Sequence, residues 1–165
     1  AVAGYARSLL GIADAASEEF GSGTFVVAIL PEQKGIGQLG GTMHLGNYPV
    51  TLKPGTLAES LYGRTDILER HRHRYEVNPP FIPDLEKAGL VFSGNNGVRM
   101  EVCEIPGHPF FLATQFHPEF KSKPFRPHPL FAGFIRAALA FRDARARESG
   151  KPVAEVTKLP VGKGA

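Results

Sequence analysis

The one long helical pattern in this chain, HPLFAGFIRAALAFRDARARES at 128–149, comes near its end, and everything before it is cut into short pieces. Gly and Pro do the cutting, with 19 and 14 copies in 165 residues. One core must then be shared by mixed short strands and short helices, which makes the class α/β or α+β. The long helix places Leu130, Phe131, Phe134, Ile135, Ala138 and Leu139 on one face, so that face is expected to pack.

The short pieces carry their own signals. TFVVAIL (24–30) is rich in β-branched residues and reads as a buried strand, and ILERHRHRYEV (67–77), LVFSG, VRMEVCEI and FFLATQF read as four more. GTLAESLYG reads as a short helix, with Thr56 and Glu59 spaced as a capping box and Gly63 as its stop. IPDLEKAG (82–89) has Pro near its start and Gly after its end, as a short helix should. AVAGYARSLLG reads as a helix closed by Gly11 but lacking an N-cap, so sequence upstream of residue 1 is expected. From about residue 149 the pattern stops, and 149–165 is expected to be a loose tail behind one domain at 1–148.

Composition narrows the class. Hydrophobic residues are 42% and charged residues 21%, as in a folded, water-soluble domain. No apolar run approaches the ~18 residues of a membrane span, and no signal peptide is visible. A single cysteine excludes an internal disulfide and fits a cytoplasmic setting. A net charge of +3 does not by itself argue for a nucleic-acid partner.

Four constellations bear on chemistry. In QFHPEF, His117 and Glu119 flank Pro118, as a base and the acid that orients it would; a surface His and Glu at a turn fit equally well. In ERHRHRYEVN, alternation puts Arg70, Arg72 and Arg74 on one side and His71 and His73 on the other. The arginines suit a carboxylate or phosphate, or a merely solvated strand face. The histidines could ligate a metal, but no third ligand is near in sequence, so no metal is expected. GIGQLG (35–40) matches a dinucleotide fingerprint in letters only: no helix follows it, and a ligand-closing loop fits better. Cys103 has no basic neighbour in its strand and reads as inert.

Taken in order, LPEQ (30–33), LGGTMHLG (39–46), ERHRHRYEVN (69–78), AGLVFSG (88–94), HPFFLATQFHPEFKSKP (108–124) and HPLFAGFI (128–135) resemble the C-terminal glutaminase domain of the CTP synthases. The resemblance covers roughly residues 1–140 and implies a flavodoxin-like α/β class I glutamine amidotransferase domain, present here in part. In that family a cysteine thiolate attacks the glutamine carboxamide, ammonia leaves, and the acyl-enzyme is hydrolysed. The ammonia then serves ATP-dependent conversion of UTP to CTP in a synthase domain.

By position, the resemblance makes His117 the base and Glu119 its orienting residue. Arg74, with Tyr75 beside it, and Glu19 would hold substrate glutamine. Gly41 and Thr42 would belong to a lid linked to GTP activation. No cofactor is implied for this domain, ATP and Mg serving the parent enzyme with GTP as activator. The implied partners are glutamine, the synthase domain and further copies in a homotetramer, with no nucleic acid and no membrane. Ala16 and Glu18 stand where the family usually has Asn and Thr, and His44 where it usually has Arg. The family's Gly-x-Cys-x-Gly elbow would fall just before Ala1, so these 165 residues alone are expected not to hydrolyse glutamine.

Overall fold

The computed structural model describes residues 1–29 and 44–150. Two sheets share one wall. The larger is antiparallel throughout, in the order β4-β3-β6-β7-β8. Its strands are β3 (His44–Leu52), β4 (Asp66–His73), β6 (Val91–Asn95), β7 (Met100–Glu104) and β8 (Leu112–Thr114). The smaller sheet runs β1-β2-β5, from β1 (Ala15–Ser17), β2 (Thr24–Ala28) and β5 (Glu76–Val77). Its β1–β2 pair is the only parallel one among the described residues. Among the described residues four α-helices complete the fold: α1 (Val2–Leu9), α2 (Leu57–Tyr62), α3 (Ile82–Lys87) and α4 (Pro129–Glu148).

The β6–β7 hairpin is the shared wall. Phe92 and Cys103 face a core built with Val2 and Ala6 of α1, Val26, Val77 and Leu85. Val102 faces the opposite way, into a core with Val50, Leu52, Ile67, Ala58 of α2 and Leu130 of α4. A strand covered on both faces reads as a continuous buried run, and Glu101 through Glu104 are all buried. Gly94 lets this wall close: a Cβ there would lie 2.7 Å from Val102 Cγ2 and 2.9 Å from Leu52 Cδ2.

Three expectations change. The segment after the Gly-rich loop is not merely a non-helical stretch. It is the nine-residue strand β3, whose burial alternates residue by residue. Pro49 is tolerated because β3 pairs with β6 only at Thr51 and Leu52, so among the described residues no strand pairs with that edge at Pro49. The strand expected over 67–77 is broken: β4 ends at His73, the chain bends at Arg74, and Glu76–Val77 joins the other sheet as β5. The expected apolar face of α4 is not packed. Only Leu130 and Gly133 are buried, while Phe131, Phe134 and Ile135 are 41–56% exposed. Only the start of α4 meets the core, where Gly133 lies against Leu61 of α2, so periodicity in the later turns has no partner among the described residues.

Candidate active site

The loop after β8 carries the histidine–glutamate pair. Gln115 N–H donates to Glu101 O at 2.9 Å, and His117 N–H donates to Arg70 O at 2.8 Å, so both neighbouring strands fix this segment. His117 is extended, and Pro118 opens a 3-10 turn, Pro118–Lys121, which also carries Glu119. Proline suits that first position because its missing N–H would have no partner there. Lys121 Nζ donates to Leu68 O, tying the far end of the turn to β4 as well.

His117 Nδ1 donates to Glu119 Oε1 at 2.7 Å. That bond fixes the tautomer and leaves Nε2 without a hydrogen-bond partner among the described residues, on a side chain 37% exposed. The bond from His117 is also the main reason the Glu119 carboxyl titrates below its usual range. Phe120 stacks on the imidazole, with ring centroids 5.3 Å apart. An oriented imidazole with one open nitrogen can take a proton from a nucleophile and return it to a leaving group.

The bend after β4 makes the second half of the site. Alternation placed Arg70, Arg72 and Arg74 together, but the structure parts Arg70 from Arg74, with Arg72 reaching the hollows of both. Arg70 and Arg72 line one hollow with Leu45, Asn47, Phe120 and Lys121. Arg74 lies past the strand end, in a hollow of about 380 Å³ with Glu19, Tyr75 and Gln115. All three residues expected to hold glutamine therefore share one concavity, although Glu19 lies 55 positions before Arg74 in the sequence. Ser17 accepts from Glu19 N–H at 3.4 Å, and Glu18 accepts from Ile29 N–H at 2.8 Å, which anchors the Glu19 turn beside β2. Gly41 and Thr42, like LPEQ and GIGQLG, lie outside the described residues.

Sequence reasoning missed the buried polar groups underneath. Glu76, fully buried, meets Arg99 Nε at 3.0 Å and accepts from Gln115 Nε2 at 3.2 Å. Gln115 Nε2 also reaches Tyr75 O at 3.2 Å, linking the hollow to the His117 loop. Glu101 accepts from His71 Nε2 at 3.0 Å and from Asn96 Nδ2 at 2.9 Å. His44 pairs with His73 across β3 and β4, and burial, then the neighbouring His73, lowers its pKa to about 4. The donor atoms of His44, His73 and Glu101 lie within 4.8 Å of one another. No local signal marks Glu76 or Glu101 as a hub, because Arg99 and Gln115 reach Glu76, and His71 reaches Glu101, from strands or loops distant in the sequence. Cys103 is buried, and burial pushes its thiol up to about 11, so it is not poised as a nucleophile.

An oriented His–Glu pair, joined by Gln115 to a hollow that carries an acid and a guanidinium, suits hydrolysis of an amino-acid amide. Residues 9–137 match the family model of glutamine amidotransferase class-I, and the chain belongs to that family. Within it, the similarity runs to CTP synthases. That of Methanosphaerula palustris is 68% identical over 137 residues, covering 83% of this chain and 26% of the relative. That of Archaeoglobus fulgidus is 57% identical over 146 residues, covering 86% and 27%. The solved glutaminase domain of Trypanosoma brucei CTPS, with bound acivicin, superposes with a TM-score of 0.75 at 36% identity, over 95% of this chain and 59% of that one. The chain thus spans about a quarter of the length of the curated relatives it matches. No helix among the described residues is long and apolar enough to cross a membrane.

Proposed function

We propose that these residues are the glutaminase portion of a CTP synthase, releasing ammonia from glutamine for amination of UTP. The observation that carries this reading is the shared hollow of Glu19, Arg74, Tyr75 and Gln115, in which Gln115, two residues before His117, donates to Tyr75 O. A guanidinium suits the α-carboxylate of glutamine and a carboxylate suits its α-ammonium, so Arg74 and Glu19 would fix the amino-acid end. His117 Nε2 would deprotonate a thiol nucleophile, then protonate departing ammonia, and then activate the water that hydrolyses the thioester. Glu119 would hold the imidazole throughout and stabilise the imidazolium.

The nucleophile is a cysteine from outside these 165 residues, because the one within them, Cys103, is buried and its thiol is raised. ATP with Mg would act in a synthase domain, GTP would activate through the segment holding Gly41 and Thr42, and the assembled enzyme would be a cytoplasmic homotetramer.

The test is glutamate release. The 165-residue chain alone should release none, whereas a longer protein that also carries the cysteine elbow should turn over. In that longer protein, His117→Ala should lower kcat by ~10²–10⁴, the usual span for losing a general base. Arg74→Ala should act mainly by raising KM. Glutamate release by the short chain, or full activity of His117→Ala, would overturn the reading.

A further inference from the structure

We propose that His44, His73 and Glu101 form a binding site for one divalent transition-metal ion, with Zn²⁺ as the ion their two-nitrogen, one-oxygen donor set suits best. The three side chains come from β3, β4 and β7, and their donor atoms already lie within 4.8 Å of one another. A tetrahedral ion with bonds of ~2.0–2.1 Å needs ligand atoms about 3.4 Å apart, so modest side-chain rotations complete it. The rings of His44, His71 and His73 form a near-equilateral cluster, with centroids 5.1–5.3 Å apart.

Two observations point to a ligand rather than to ordinary packing. His44 Nδ1 and both ring nitrogens of His73 are buried and make no hydrogen bond among the described residues. The nearest carboxylates to His73 are Glu76 at 3.3 Å and Glu101 at 3.9 Å, positions that attract a cation without satisfying the ring. Buried polar atoms of native proteins are rarely left unpaired, and a single ion could take one nitrogen from each of the two rings.

The support around the cluster is also that of a metal site. Glu101 is 1% exposed and is held at both oxygens, by His71 on one and Asn96 on the other. His71 is itself held through Nδ1 by Glu69 O at 2.9 Å. Outer partners of this kind orient a ligating carboxylate. Tyr48 covers one side of His44, with ring centroids 3.6 Å apart, and limits water there. Arg99 is a nearby cation that opposes a metal, and its contact with Glu76 at 3.0 Å offsets its charge. Such an ion would clamp the end of the β3–β4 ribbon onto β7, directly before the bend that carries Arg74. It takes no part in the chemistry at His117.

The experiment uses the full chain, stripped with chelator and dialysed against Zn²⁺. Elemental analysis should find one equivalent, held with micromolar or tighter affinity, and the thermal midpoint should rise with Zn²⁺ concentration. His44→Gln and His73→Gln should each weaken binding at least 100-fold. His71→Gln, which removes only an outer partner, should weaken it about 10–100-fold. His117→Gln should bind as the parent does. Co²⁺ added to the unmodified protein should shift the ring protons of His44 and His73 in paramagnetic NMR, which decides the matter even if a variant fails to fold. Binding weaker than ~100 μM, Zn²⁺ retained by both His44→Gln and His73→Gln, or Co²⁺ shifts on other histidines would each overturn the site.

Discussion

Glu104→Ala tests how this domain holds α2. Both carboxylate oxygens of Glu104 accept from the start of that helix, Leu57 N–H at 2.9 Å and Ala58 N–H at 3.1 Å. Thr56 Oγ1 accepts only from Glu59 N–H, at 3.3 Å. Removing the carboxylate strands Ala58 N–H in a fully buried position, while the less buried Leu57 N–H can recruit water. A buried donor left unpaired costs ~1–3 kcal/mol, and bonds to an ionised acceptor are about twice as strong as neutral ones. The expected loss is therefore about 2–4 kcal/mol, against ~1 kcal/mol for Thr56→Ala, an ordinary N-cap loss. Urea denaturation at neutral pH, with slopes compared so that only the midpoint carries the difference, measures both. Glu104→Ala within 0.5 kcal/mol of the parent by the same ~1 kcal/mol-scale reasoning, or a larger loss for Thr56→Ala, would refute the assignment of the cap to Glu104.

Further outcomes follow from other contacts. Gly94→Ala should cost about 1–3 kcal/mol, because its Cβ would press on Val102 and Leu52 in a filled core, and Val102→Ala should recover part of that in the double variant. In metal-free protein, His44 titrates near 4 when folded and near 6.5 when unfolded, so its effect is absent above pH 6.5. As pH falls from 6.5 to 4 the unfolded state takes up the proton first and stability drops; His44→Gln should flatten that part of the curve in urea midpoints measured across the range. Cys103 should resist a thiol reagent at pH 8 in the native protein and react promptly in urea, since its thiol is buried and its pKa is near 11. In a longer protein carrying the proposed cysteine elbow, Glu119→Gln should lower kcat more than it raises KM, as a residue that orients the base would; a pure KM effect would move Glu119 out of that role.

Much of the site was legible because its signals are local. The spacing of His117 and Glu119 around Pro118 brings the pair together within one 3-10 turn, at 2.7 Å. Thr56 and Gly63 bound α2 as their residue types required. The capping box was half right. Thr56 caps Glu59, but the other orphan N–H groups go to Glu104, 46 and 47 positions away. The arginine alternation failed at one residue, where the chain leaves one sheet for the other.

What the sequence by itself determined is what short-range sterics and hydrogen bonding control: the ends of α2, the alternating β4, and the His117–Glu119 contact. Only the tertiary structure decided which distant groups meet. It bent the chain at Arg74 so that Glu19, Arg74 and Tyr75 share a hollow, and it set Glu101 of β7 against His73 of β4. It also left most of the apolar face of α4 uncovered among the described residues. The physical reason is the same in each case. A buried carboxylate or an apolar stripe states that a partner is needed, but sheet order and curvature select that partner, and they emerge only from the packing of the whole chain.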